Sequence, residues 1–533
     1  MKFGVSVLVV VSATAAVGCV GVAGAQEAAR LNVLLIVCDD LNDWVGPLGG
    51  HRQAQTPAID AFAESAVVFE NASCSTPVCA PSRASFLTGI EPYTSGNLFW
   101  SPWFENEVLA NSKTMMRHFR DNGYIAVGAG KLMHHEKPDE WDERPHRADY
   151  GPLVIEDGET AAHPGVPEPF ASIGAIDGSF GPIDDRCEWV LGRQRWVGGV
   201  GSRVPYRVGQ PTPDERVAAW AAGRIERFAA DDDDRPFFMG VGFIRPHTPM
   251  HAPPEFFDPF PIGTVELPAA LLPDDEADTH YATHFGPEVK GLRYYRQIAE
   301  SYESAAAGLR EFARAYLASV AFVDAQIGTV LDALDRTGLA ENTIVILTSD
   351  HGFQMGEKGF LFKNSLWEES NRVPLMIRAP GVGVGVGVGA GRCGAPVSLI
   401  DLYPTLVDLC GLNGDTRITA LGRSLDGSTL RPLLADPDAG EWHGPDASLT
   451  MVHAEEEGIR PLTAAQYDDP RHQHWSLRTE RFRYIRYNTG LEELYDHAAD
   501  PHEWWNIAGE PSSRSQIDRF RAMLSDRIGL DLP

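Results

Sequence analysis

Residues 79–89 read Cys-Ala-Pro-Ser-Arg-Ala-Ser-Phe-Leu-Thr-Gly. Taken alone, Cys79 is a buried thiol in a proline-containing turn at a helix start. Four other reactive groups accompany it. Asp39-Asp40 and Asp350-His351-Gly352 each close an apolar run, Gly130-Lys131-Leu132-Met133-His134 follows a third, and Arg245-Pro246-His247-Thr248-Pro249 follows a fourth. Lys363 lies thirteen residues past Asp350. An adjacent acidic pair is commonly a cap at a turn, and a histidine near a lysine is commonly a surface pair. Two acidic clusters, both at strand ends, point instead to a metal site, because α/β sheets bind ligands beyond the carboxyl ends of their strands. Hard oxygen ligands select calcium or magnesium over zinc. Histidine suits a hard cation poorly.

The elements that must position these residues are legible in part. Asn32–Cys38 is a continuous apolar run, the pattern of a strand buried on both faces of a parallel sheet. Further strands are expected at Val67–Phe69, Tyr124–Val127, Phe237–Phe243, Thr343–Leu347 and Leu375–Ile377. Helices are expected from Thr56-Pro57, from a Ser112 cap through Met115, Met116 and Phe119, over 214–229 and over 310–336. Alternation of this kind predicts an α/β/α sandwich around a mostly parallel sheet. Residues 151–210 lack periodicity and read as long surface loops; these and residues 255–300 are the expected seat of specificity. Asp231–Asp234 reads as a solvated turn. The low-complexity stretch Gly381–Gly391 lacks the Lys and Ser/Thr of a phosphate loop and reads as a surface connector. Past Gly411, paired strands at Trp475–Arg478 and Phe482–Tyr487 and a helix near 512–526 predict a smaller α+β subdomain. The expected division is an export signal over 1–25, a catalytic domain over 26–411 and the subdomain over 412–533.

The chain has 533 residues, with 45 Lys+Arg against 74 Asp+Glu, a net charge of −29. That balance argues against nucleic acid as a partner, and an anionic substrate needs a locally basic pocket. Residues 5–18 are apolar and small, and Ala23-Gly24-Ala25 fits a signal-peptidase site, so a periplasmic or secreted protein is expected. Val17-Gly18-Cys19 matches a lipoprotein site less well. No later stretch is expected to span a bilayer. Of seven cysteines, Cys19 lies in the signal. Cys38 and Cys74 are expected to be reduced and buried, while Cys393 and Cys410 are free to pair or not. Trp100, Trp103 and His251 are candidate sugar contacts that serve equally well as packing.

The segment from Cys79 to Gly89 resembles the sulfatase motif C-x-P-S-R-x-x-x-L-T-G at every fixed position. In that family the cysteine is oxidised to formylglycine by a formylglycine-generating enzyme, and the hydrated aldehyde is the nucleophile. The resemblance implies that role for Cys79 and a charge-balancing role for Arg83. It implies a calcium ion held by Asp39, Asp40, residue 79, Asp350 and position 351. Lys131 and His134 match G-K-x-x-H, which implies that Lys131 neutralises the sulfate and His134 deprotonates the hydrate. His247 matches P-H-x-P, which implies the general acid for the leaving alcohol. Lys363 is implied to touch sulfate oxygens. Lys358 stands where sulfatases commonly have histidine. DDLNDWVGPLGGH from Asp39, TSDHGFQMGEKG and the tail around Glu493–Asp496 and Asp500–Trp504 are closest to the iduronate-2-sulfatase-like branch, of alkaline-phosphatase-like fold. The implied activity is hydrolysis of sulfate monoesters on a sulfated carbohydrate. Two other readings are a phosphonate or phosphate monoester hydrolase of the same fold and a catalytically inactive glycan-binding protein. The intact set Cys79, Lys131, His134, His247 and Lys363 argues against the latter.

Overall fold

The computed structural model describes residues 30–192, 204–280, 288–382, 390–454 and 463–530, with Met1, Gly4 and Leu532 besides. The rest of the signal segment lies outside them, as does the middle of the Gly381–Gly391 connector. A seven-stranded sheet contains β1 (Asn32–Asp39), β2 (Val67–Ser73), β3 (Ile125–Gly130), β4 (Phe237–Pro246), β5 (Thr343–Ser349), β6 (Leu375–Arg378) and β7 (Gly391–Ser398). Its order is β7-β2-β6-β5-β1-β4-β3, parallel except where β6 runs against both β2 and β5. The apolar runs are explained by burial on two faces. Leu34, Ile36 and Cys38 of β1 join one core, while Val33, Leu35 and Val37 join the other, the period-2 alternation of a strand.

Each face is covered by helices. α1 (Pro57–Ala63), α4 (Pro213–Ala230) and α5 (Ala305–Arg336) pack on the first, with Ile59, Val217, Ile225, Leu317, Val323 and Ile327. α2 (Cys79–Thr88) and α3 (Met115–Asp121) pack on the second, with Phe86, Leu87, Met115, Met116 and Phe119. α4 begins with a capping box: Thr212 Oγ1 accepts from Glu215 N at 3.3 Å and Glu215 Oε2 accepts from Thr212 N at 2.7 Å, with Pro213 in the first turn.

Several local expectations change. α3 is capped by Thr114, not Ser112: Thr114 Oγ1 accepts from Arg117 N, whereas the Ser112 hydroxyl donates to Val108 O. Thr56 precedes α1 but its hydroxyl turns to Asp60 and Gly46 instead of capping. By length and composition α5 could cross a membrane, against expectation; it lies in the core against α4 and β4, as its apolar residues require. The stretch 151–210 is not all loop. Leu153–Glu156, Glu159–Ala161, Glu188–Leu191 and Val204–Tyr206 form a small antiparallel sheet over Val154, Trp189 and Tyr206. Within 255–300, Lys290–Ser301 is helical. Asp231–Asp234 is exposed as expected. All six described cysteines are free, so Cys393 and Cys410 do not pair, and Cys38 and Cys74 are buried.

Leu412, Leu430, Leu433 and Leu434 stay with the second core. Beyond them β8 (Ser448–Val452), β9 (His474–Arg478), β10 (Phe482–Arg486) and β11 (Glu492–Asp496) form an antiparallel sheet, and α6 (Arg514–Ile528) packs on it through Phe520 and Leu524.

Candidate active site

β5, β1, β4 and β3 are neighbours in the sheet and parallel, so their carboxyl ends share one edge. Asp350, Asp39, His247 and Lys131 are the residues at or just past those ends. The ladder continues beyond them: Asp350 N donates to Cys38 O (3.2 Å), His247 N to Asp39 O (3.0 Å) and Lys131 N to Gly242 O (2.9 Å). Gly242 is required there, since a Cβ on it would lie 2.0 Å from the Lys131 carbonyl oxygen. The chain leaves β1 through Asp40 in the left-handed region (φ 64°), and Tyr316 of α5 donates to the Asp40 carbonyl at 2.7 Å. Position 79 comes from a different element, the first turn of α2. Spacing of four along α2 puts Cys79 and Arg83 on one face. No side chain caps α2, so its free N–H groups and positive dipole end meet the pocket at residue 79.

Every cation of the pocket holds a carboxylate. Lys131 Nζ donates to Asp39 Oδ2 and Lys363 Nζ to Asp40 Oδ1 (2.6 Å). Arg83 donates to Asp350 Oδ2 (2.8 Å), to Asp39 Oδ1 (3.3 Å) and to the carbonyls of Cys38, Lys131 and Leu132. Cys79 Sγ receives Lys363 Nζ at 3.2 Å and lies 3.2 Å from His351 Nε2. His351 Nδ1 donates to Gly352 O (3.0 Å), which leaves Nε2 as the acceptor, 3.5 Å from Asp40 and 3.6 Å from Asp350. One ligand atom from each of Asp39, Cys79, Asp350 and His351 falls within a 4.8 Å cluster. Four of the five expected metal positions therefore converge, and Asp40, the fifth, groups with Cys79 and His247 instead.

Burial governs the protonation states. It pushes the Cys79 thiol up to about 12, with Asp39 adding to it, so the unmodified side chain is a neutral thiol at neutral pH. Burial raises Asp40 to about 7 against the opposing pull of Lys363, and Asp350 to about 6 against Arg83. Asp39 is held well below the usual carboxylate range: Lys131 leads its neighbouring cations, and together they overcome the cost of burial. Burial, then Lys363, keeps His247 neutral, with Asp39 and Asp177 pulling the other way.

His247 Nδ1 donates to Thr248 O, and Nε2 lies 3.8 Å from Asp40 Oδ2. His134 is at the rim, its ring 5.2 Å from Trp100 and its Nδ1 buried without a partner. Trp100 stays at the mouth as a candidate contact. Trp103 and His251 do not: Trp103 donates to His135 O (2.8 Å), and His251 is buried between Ser179 and Pro152 O. Lys358 points away from the pocket, donating to Glu503 O. Among the described residues, two groups outside the pocket could hold a metal, but Arg186 occupies Asp184 beside His163 and Cys187, while Arg478 and Arg483 occupy Glu368 beside His497 and Glu503. No motif pointed to Tyr150, whose half-buried ring lies 5.1 Å from Lys131 Nζ and 5.1 Å from the His247 ring. Nor did one point to Asp177, which sits behind Thr248.

The sulfatase family profile matches residues 31–412, most of the chain, and the chain belongs to that family of sulfuric ester hydrolases. A second profile, the C-terminal region of N-sulphoglucosamine sulphohydrolase, matches residues 356–528. Among relatives, a sulfatase of Formosa agariphila is 30% identical over 94% of this chain and 87% of its own length. The iduronate 2-sulfatase of Mus musculus is 30% identical over 72% of this chain and 69% of its own. Among solved structures, one in complex with its substrate D-glucosamine-2-N,6-O-disulfate superposes with a TM-score of 0.65 at 20% identity, covering 94% of this chain and 98% of that one. The alkaline-phosphatase-like α/β/α fold is thereby established.

Proposed function

We propose that the protein hydrolyses sulfate monoesters of a sulfated sugar, using a formylglycine made from Cys79 beside a calcium ion. The observation that carries this is the position of Cys79: at the uncapped start of α2, in contact with Lys363 and His351, among three buried carboxylates. The donor set fits a hard cation, since Asp39 and Asp350 offer oxygen beside Cys79 and the acceptor Nε2 of His351, with Asp40 adjoining. Bound there, calcium would supply a fixed double positive charge beside the nucleophile. The hydrated aldehyde of a converted residue 79 supplies a nucleophile that a neutral thiol does not.

The chain's own residues supply the rest. The three cations Arg83, Lys131 and Lys363 pair with the three carboxylates and at least balance their charge. With a divalent cation held there the pocket would be net positive inside a chain of net charge −29, and would draw in an anionic ester. Lys131 and Lys363 hold the sulfate oxygens. His247 presents Nε2 for proton transfer to the leaving oxygen, and the incoming negative charge favours its protonated form. His134, neutral through burial and the Lys131 charge, is the base for the aldehyde hydrate. The half-buried Tyr150 and Trp100 offer rings for a sugar face. The signal-like residues 1–25 support an exported enzyme.

The test uses protein co-expressed with a formylglycine-generating enzyme. The mass of the peptide containing residue 79 is measured, together with sulfate release from sulfated monosaccharides and 4-nitrophenyl sulfate. Conversion of Cys79 with release that depends on it is the expected result. Hydrolysis with an intact thiol, or preference for 4-nitrophenyl phosphate or a phosphonate ester, overturns the reading.

A further inference from the structure

Asp177 belongs to the stretch 151–210, and Lys290 and Tyr294 to the stretch 255–300, two regions without a motif. The fold brings them together behind the proposed general acid. Asp177 Oδ1 accepts from Thr248 Oγ1 at 3.1 Å. Asp177 Oδ2 accepts from Tyr294 Oη at 2.9 Å and from Lys290 Nζ at 3.0 Å. Thr248 is the residue whose carbonyl receives the Nδ1 proton of His247. Three donors from two elements thus fix one carboxylate, and that carboxylate fixes the residue that orients the imidazole. Lys290 is held in turn over the Phe362 ring at 4.0 Å, next to Lys363 in the chain.

We propose that Asp177 is a positioning residue for proton donation by His247, acting through Thr248. The inference rests on the reading of His247 as general acid. Asp177 is closed off from direct chemistry, since both its oxygens are taken by protein donors. Its clamp sets two things: the Thr248 carbonyl, which keeps the proton on Nδ1, and the direction of Nε2, which faces the pocket at 3.8 Å from Asp40 Oδ2. In the protonated form that the bound sulfate favours, Nε2 carries a second proton taken up from solvent; it passes to the ester oxygen as the S–O bond breaks, the leaving group departs as a neutral alcohol, and the ring returns to its neutral form with the proton on Nδ1. The need for that proton scales with the basicity of the leaving oxygen. A nitrophenolate leaves without it, whereas phenolate and sugar alkoxides depend on it progressively more. A misdirected imidazole therefore spares esters of acidic alcohols and penalises the others, while a general loosening of the fold penalises all alike.

Asp177→Asn and Thr248→Val are compared with the wild type and with His247→Ala on 4-nitrophenyl sulfate and phenyl sulfate, using holoenzyme with residue 79 converted. Asp177→Asn keeps the shape of the clamp, and Thr248→Val removes one hydroxyl. Both are expected to lose about tenfold or more in kcat on phenyl sulfate and at most about threefold on 4-nitrophenyl sulfate, in the same direction as His247→Ala. Equal losses on both esters, or none, in both clamp variants overturn the inference while leaving the sulfatase reading intact. A wild type inactive on both esters, or a His247→Ala variant blind to the leaving group, overturns the general-acid reading and the inference with it.

Discussion

Arg83 donates from Nε to Asp350 Oδ2 across 2.8 Å, and neither side chain has exposed surface. One residue earlier on the same helix, Ser82 Oγ donates to the Asp350 backbone carbonyl at 2.6 Å. α2 is thus fastened twice to the end of β5, once by side chain and once by main chain. Residue 79, the proposed nucleophile, and Asp350, the proposed metal ligand, cannot drift apart while α2 stays helical.

Arg83→Lys keeps the charge but loses the planar fork that reaches five oxygen atoms. Breaking a buried pair costs about 3–5 kcal/mol. The expected outcome is a lowered melting temperature and a fall in kcat/KM of ~100-fold or more, read by thermal denaturation and sulfate release.

Chelation of the purified enzyme with EGTA is expected to abolish sulfate release, and calcium to restore it. Asp350→Asn is expected to lose ~100-fold or more, in line with the several kcal/mol a Lewis acid supplies. Calcium titration of the apoprotein followed by calorimetry checks the site apart from turnover; unchanged calcium affinity in Asp350→Asn would remove that residue from the ligand set.

Glu91 is buried, which raises its carboxyl to about 8 despite Arg527 nearby. The folded state therefore holds this proton more tightly than the unfolded chain. The contribution to stability is fully present below the ordinary carboxylate range and is lost as pH rises toward 8. Glu91→Gln removes the penalty. Its melting temperature is expected to exceed that of the wild type by roughly 2–4 °C at pH 8 and to match it near pH 4.

Arg483 is buried and donates to Glu503, Glu368, Ser476 and the Leu366 carbonyl. Arg483→Met leaves two buried carboxylates without this partner. A loss of about 3–5 kcal/mol is expected in urea unfolding, with sulfate release falling although no pocket residue is altered.

Much of the pocket was legible because its residues sit in short, fixed-spacing segments at strand ends. The run Asn32–Cys38 announced a strand, and the strand delivered Asp39 to the sheet edge. Cys79 and Arg83 were legible as a pair for the same reason, being four apart on one helix. What composition could not carry was the tertiary meeting of remote, aperiodic segments. Asp177 reaches Thr248 from 71 positions away, and Tyr294 reaches Asp177 from 117 positions away. The small sheet within 151–210 escaped for a related reason: its strands are three or four residues long, too short for alternation to register. The antiparallel course of β6 was likewise hidden, since a buried strand reads alike in either direction.

The segment that carries Lys363 is gripped from the far end of the chain. Lys358 donates to the Glu503 carbonyl, Trp367 Nε1 to Glu493 Oε2 at 3.0 Å, and Glu368 N to Glu503 Oε2 at 2.9 Å. A nascent polypeptide released before Glu503 would hold every pocket residue yet lack the contacts that seat one of its lysines. Activity then serves as a check on complete synthesis: premature stop codons well downstream of the pocket should behave as null alleles, and turnover should emerge only after the tail has docked.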